Sequence, residues 1–140
     1  MGNPGVGLAR LHQFLGIGLV AIAAVFLLLR YVGVAPVMRP ADQQPVLMYA
    51  FPGIGIALLI YGLIILKPRA AVRDPSQSID QFWSSPANAA KVLRVWFALE
   101  GAGIMSAVGF LMTGTLLAGG VMVVAIAAYW LCGPNVFEQR

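Results

Sequence analysis

Polar residues fall in short clusters along the chain, and between them lie four long apolar runs, about Leu11 to Val32, Val46 to Leu66, Val92 to Thr113 and Thr115 to Cys132. A hydrocarbon core of ~30 Å takes ~20 residues at ~1.5 Å each, so the runs have close to spanning length. Short connections on one side make the first and second runs, and the third and fourth, antiparallel neighbours. The pattern predicts an all-α fold, an integral membrane four-helix bundle running up-down-up-down as one transmembrane domain over residues 1–140.

Local signals sharpen the outline. Gly2, Asn3, Pro4, Gly5 and Gly7 predict a non-helical lead-in before the first span. Gly16, Gly18, Ala21 and Ala23 predict close helix contact in the first half of that span, and Arg30 is placed to snorkel at its far end. Pro36, Pro40 and Pro45 predict an extended connection from Gly33 to Pro45, and Pro52 with Gly53 and Gly55 predicts a kink or an irregular first turn in the second span. In the long loop Lys67 to Ala90, Asp80 to Trp83 reads as a short interfacial turn, and Ser85-Pro86 as the start of a helix. Gly114 marks a tight turn, and Gly133-Pro134 ends the fourth span.

Composition strengthens the membrane assignment. Hydrophobic residues make up 60% of the chain and charged residues 10%, against ~25% charged in soluble domains. The net charge of +4 flanks the spans rather than clustering with polar neighbours, which points to topology and excludes nucleic acid as a partner. Arg10, Lys67, Arg69, Arg73, Lys91, Arg94 and Arg140 fall on one side, Arg30 and Arg39 on the other. The positive-inside rule then puts both termini and the long loop in the cytoplasm. The single cysteine, Cys132, excludes an intramolecular disulfide and a Cys-rich metal site.

Glu100 is the candidate functional residue. It is the only ionisable side chain from Val95 to Met112, and a charge in mid-bilayer costs ~2.5 kcal/mol or more, so such residues usually face a bundle interior or water. Gly103 and Ala107 lie three and seven positions on, and with Gly53 and Gly55 they predict a small-residue face for helix packing. Tyr61 and Tyr129 stand somewhat shallower on neighbouring spans, from where either can reach in, and are the candidate hydrogen-bond partners. The competing reading is a neutral Glu100 that only fixes helix packing.

Other candidates yield less. His12 is the one histidine, whereas a membrane haem b site takes two, so an interfacial place is expected and no cofactor. Trp83, Trp96, Phe97, Tyr129 and Trp130 read as an aromatic belt. No nucleophile has a matched base at its own depth, and no metal-ligand cluster is present, so the expectation is a protein that is not an enzyme and holds no metal.

Two resemblances bear on function. The run Val92-Leu93-Arg94, Ala98-Leu99-Glu100-Gly101-Ala102 and Val108-Gly109-Phe110-Leu111-Met112-Thr113-Gly114 resembles the third span of a loose group of small bacterial four-span membrane proteins. That resemblance implies the bacterial inner membrane. More distantly, Pro52-Gly53-Ile54-Gly55-Ile56-Ala57, a polar loop and Ala98-Leu99-Glu100 resemble the proteolipid c-subunit hairpin of rotary ATPases, though without its Arg-Gln-Pro loop. In that family a Gly-rich helix packs beside one whose carboxylate carries a proton or sodium ion, and the resemblance implies that role for Glu100. The expectation is a proton- or cation-binding membrane protein. Its rival is a structural or accessory subunit, in a homo-oligomer or a larger membrane complex.

Overall fold

A computed structural model describes residues 4–33 and 45–138. The Pro-rich connection expected after Gly33 therefore lies outside the described residues from 34 to 44, together with Arg39; Arg140 lies outside them too. Helix α1 covers Pro4–Tyr31, α2 Pro45–Ile60, α3 Ile79–Ser84, α4 Pro86–Thr113, α5 Leu116–Leu131 and α6 Asn135–Glu138. Among the described residues there is no strand.

Three helical stretches, Gly5–Tyr31, Val46–Arg69 and Pro86–Thr113, are long and apolar enough to cross a membrane. The fourth differs from expectation. At 16 residues α5 reaches only ~24 Å on ~1.5 Å per residue, short of ~30 Å. Large apolar side chains cover much of the exterior, with Phe14 76%, Leu28 60% and Leu131 75% exposed. Such a surface is made for lipid or another protein rather than water.

The central helix is α4. Along α2 its contacts run in opposite order: Gly62 meets Ala98 and Leu99, Gly55 meets Ala102 and Ser106, and Phe51 meets Gly109. Along α1 they rise together, His12 against Trp96 and Leu19 against Gly103. Along α5 they reverse again, Ala118 beside Gly109 and Cys132 bonded to Trp96. The shared core includes Leu19, Val95, Trp96, Leu99, Ala125 and Tyr129, each fully buried.

Two local expectations are corrected. The Gly-rich lead-in is helical from Pro4, because Pro is tolerated in a first helical turn and Leu8 packs on the core, which outweighs weak intrinsic propensity. Pro52 is buried inside α2 with no irregular turn around it. The irregularity comes later, at Tyr61–Leu66, where the chain widens into a π-helix and Lys67 N–H reaches back to Gly62 C=O. A 3₁₀ turn, Lys67–Arg69, then ends the rod.

Other local signals are realised in detail. Asp80 to Trp83 belongs to α3, whose capping box pairs Ser78 Oγ with Gln81 N–H and Gln81 Oε1 with Ser78 N–H, both at 3.2 Å. Pro86 opens α4. Gly114 turns the chain at φ +65°, and the Arg30 guanidinium lies against its Cα, so a side chain there would be both strained and obstructed. One end of the bundle is tied off around α6. Arg73 donates to the carbonyls of Glu138 at 3.0 Å and of Gln77, and Trp83 Nε1–H donates to Glu138 Oε1 at 2.7 Å.

Candidate functional site

Glycines let α4 approach two neighbours, forming two seams. On the α2 side a methyl group at Gly55 would collide with the Ser106 hydroxyl and lie 3.2 Å from the Ala102 carbonyl oxygen. One at Gly109 would lie 2.6 Å from Phe51 Cβ. On the α1 side a methyl at Gly103 would lie 2.7 Å from Leu19 Cδ1, and Ala107 packs with Ala23 and Met122. Gly53 is not part of either seam: it is exposed, and a methyl there would meet nothing within 4 Å. Two residues carry the helix roughly 200° round on ~100° each, so Gly53 and Gly55 cannot share a face. Gly109 on α4 and Gly62, just past the end of α2, which the sequence pattern did not single out, also stand in the α2–α4 seam.

Glu100 stands on the α1 side of α4. Trp96, one turn before it, meets His12, and Gly103, one turn after it, meets Leu19. The residue is half-buried, and among the described residues no side chain donates a hydrogen bond to its carboxylate. Of the two tyrosines expected near it, Tyr61 is 46% exposed and shares a shallow hollow with Leu58, Arg94, Phe97 and Ala98. Ala98 is roughly 200° round α4 from Glu100, so the structure does not bring Tyr61 to it. Tyr129 is fully buried within electrostatic range of Glu100, but its hydroxyl donates to the His12 carbonyl at 2.9 Å.

The densest side-chain assembly surrounds His12, which is 3% exposed rather than at an open interface. Its ring lies parallel to that of Tyr129 at 4.5 Å, tilted against Trp96 at 4.7 Å, and edge-on to Trp130 at 5.7 Å. The last turn of a helix leaves carbonyls short of intrahelical partners, and here side chains add donors beside the Cys132 N–H that reaches the Tyr129 carbonyl at 3.2 Å. His12 Nε2 bonds the Tyr129 carbonyl at 3.2 Å, and Trp96 Nε1–H bonds the Cys132 carbonyl at 2.7 Å. A carbonyl can only accept, so Nε2 carries the proton. This cluster clamps α1, α4 and α5 together one turn away from Glu100.

Trp96, Tyr129 and Trp130 belong to the run of aromatics that reads as a belt, and His12 reads separately as an interfacial residue. What the sequence lacked was direction, inward rather than outward.

Fold and site together define an all-helical protein, with three helices long and apolar enough to cross a membrane, arranged about a central helix that carries a half-buried carboxylate. No family model, curated protein or solved structure matches the chain.

Proposed function

We propose that the chain is a non-enzymatic integral membrane protein of the bacterial cytoplasmic membrane, crossing it four times up-down-up-down with both termini in the cytoplasm, and that Glu100 binds a proton or small cation. The observation that carries this reading is the unsatisfied carboxylate. A glutamate kept in an apolar helix only to fix packing is expected to hold a partner, because an unpaired polar group out of water costs free energy. Glu100 is half-buried without one, which leaves its oxygens available for exchange. The Lys and Arg distribution supports the orientation. A short α5 fits if its flanking turns and a locally thinned bilayer make up the difference.

Dicyclohexylcarbodiimide, which partitions into membranes and attacks protonated carboxyls, tests the reading on the protein in proteoliposomes. Peptide mapping should locate the label on Glu100, with labelling that falls as pH rises or as sodium is added. An unlabelled Glu100 at every pH removes ion binding at this residue.

A second reading, the structural or accessory subunit in a homo-oligomer or larger membrane complex, is favoured by one feature. Gly53 and Ala57 are both exposed and one turn apart on the outer face of α2, a spacing that lets a further helix approach closely. Under that reading Glu100→Gln assembles normally and changes no ion-dependent property, whereas bulky residues at 53 and 57 abolish assembly.

A further inference from the structure

The end of the bundle tied off by α6 contains a hollow of about 350 Å³ that neither Glu100 nor the helix seams use. One face of the first turns of α1 forms a wall, ending in His12 and Gln13; Ile79, Trp130, Asn135 and Glu138 complete it. The volume lies at the lower end of the ~300–1,000 Å³ typical of small-molecule sites, so the occupant is a small organic molecule rather than a peptide.

The lining chemistry selects among small molecules. The partly exposed Trp130 indole offers π-surface, and Glu138 contributes a carboxylate. Among the described residues no lysine or arginine lines the hollow. Arg73, which reaches Glu138, is committed to the main-chain carbonyls of Glu138 and Gln77 rather than to the carboxylate. Trp83 Nε1–H holds Glu138 Oε1 at 2.7 Å, which fixes the carboxylate in place and leaves the other oxygen unclaimed among the described residues. An anion would be repelled there, and a purely apolar guest would leave the Glu138 carboxylate without a counter-charge. A positive charge beside an aromatic face and a fixed carboxylate satisfies both.

We propose that this hollow binds an organic ammonium ion, primary or quaternary, with its charge against Glu138 and its apolar body against Trp130. The ion can come from solution or from the headgroup of a membrane lipid, since the same ammonium chemistry serves both. The proposal stands independently of the role of Glu100 and fails or survives separately from it.

The test is calorimetric titration of the full chain in dodecyl maltoside micelles, which carry no ammonium and no net charge, with benzylamine, benzoate and benzyl alcohol. Benzylamine is expected to bind saturably at one site, and the other two at least 10-fold more weakly. Glu138→Gln keeps an oxygen for the Trp83 N–H and should weaken benzylamine binding at least 10-fold. Trp130→Leu, which leaves both partners of that hydrogen bond in place, should weaken it severalfold and serves if the first variant folds poorly. Adding phosphatidylethanolamine to the micelles separates the sources: a fall in benzylamine affinity assigns the lipid headgroup, and an unchanged affinity assigns a soluble amine. Equal binding of all three probes, no saturable binding of benzylamine, or undiminished binding by both variants overturns the proposal.

Discussion

His12 and Tyr129, 117 residues apart in the chain, lie ring on ring at 4.5 Å and exchange hydrogen bonds across α1 and α5. The Tyr129 hydroxyl donates to the His12 carbonyl at 2.9 Å, and His12 Nε2 donates to the Tyr129 carbonyl at 3.2 Å. The pair therefore joins side chain to main chain in both directions. Gly16 makes the approach possible, because a methyl group there would lie 2.9 Å from the Tyr129 ring and 2.8 Å from that of Trp130.

Removing only the hydroxyl should separate the two contributions. Tyr129→Phe keeps the stacked ring and loses one neutral hydrogen bond, a net cost of about 1 kcal/mol. Tyr129→Ala also empties a fully buried site and should cost ~3–5 kcal/mol. Unfolding of both variants in mixed micelles, followed by tryptophan fluorescence, checks the ratio. Equal losses would show that the hydrogen bond, not the ring, holds the clamp.

The glycines of α2 and α4 should differ sharply in their tolerance of alanine. At Gly109 the obstacle is Phe51 Cβ, which moves only with its backbone, so Gly109→Ala must part the two helices and should cost ~1–3 kcal/mol. At Gly103 the obstacle is the tip of Leu19, which can rotate, so the cost should be smaller. Gly53→Ala meets open space and should be neutral or stabilising by ~0.5–1 kcal/mol, the intrinsic gain of alanine in a helix interior. The same unfolding assay ranks the three, and an inverted order would contradict the seam geometry.

Ser106 and Gly55 should be coupled. The Ser106 hydroxyl is fully buried with no hydrogen-bond partner, and it occupies the space that a methyl at Gly55 would need. Ser106→Ala should therefore be neutral or stabilising, since it removes a desolvated group worth ~1–3 kcal/mol. It should also rescue much of the loss caused by Gly55→Ala. A double-mutant cycle measures the coupling, expected at ~0.5–3 kcal/mol, and additive losses would rule out the contact.

Hydropathy and spacing made the helices legible, because an apolar run of spanning length has few alternatives. Gly114 was readable for the same reason: no other residue turns so tightly between two such runs. Contacts were less legible. Gly53 and Gly55 look alike in sequence, yet only Gly55 faces α4, and which way a helix turns its faces depends on neighbours the local pattern does not specify. His12 shows the limit most clearly. Its depth was readable, but the rings that enclose it come from α4 and α5, and their convergence is a tertiary fact. The π-helix at Tyr61–Leu66 likewise had no local marker, since no proline or glycine pair coincides with it apart from Gly62.

Outside the spans, Asp74 supplies a pH dependence with a definite sign. Ser76 donates to its carboxylate from Oγ at 2.6 Å and from the main-chain N–H at 2.8 Å, and with the Arg73 charge nearby these hold its pKa below the ordinary Asp value. A depressed folded-state pKa contributes stability that is present above the unfolded value of about 3.9 and disappears as pH falls through the folded value. Ser76→Ala removes the hydroxyl bond and should move the Asp74 pKa back up, as followed by the side-chain carbonyl carbon in an NMR titration. An unmoved midpoint would show that the main-chain bond and Arg73 suffice.

Glu100→Gln distinguishes the two functional readings most directly. Gln has the same shape and can hydrogen-bond but cannot carry a charge, so a packing role should survive the change with stability altered by less than ~1 kcal/mol. If Glu100 binds a proton or cation, the fold should persist equally well while carbodiimide labelling at position 100 and its sensitivity to sodium vanish. The two readings separate on a second measurement, the effect of pH on the wild-type protein. An exchanging carboxylate makes the stability of the wild type depend on pH or sodium in a way that Glu100→Gln abolishes, whereas a packing glutamate leaves the two proteins with parallel profiles. Parallel profiles, together with normal assembly of the variant, would return the chain to the accessory-subunit reading.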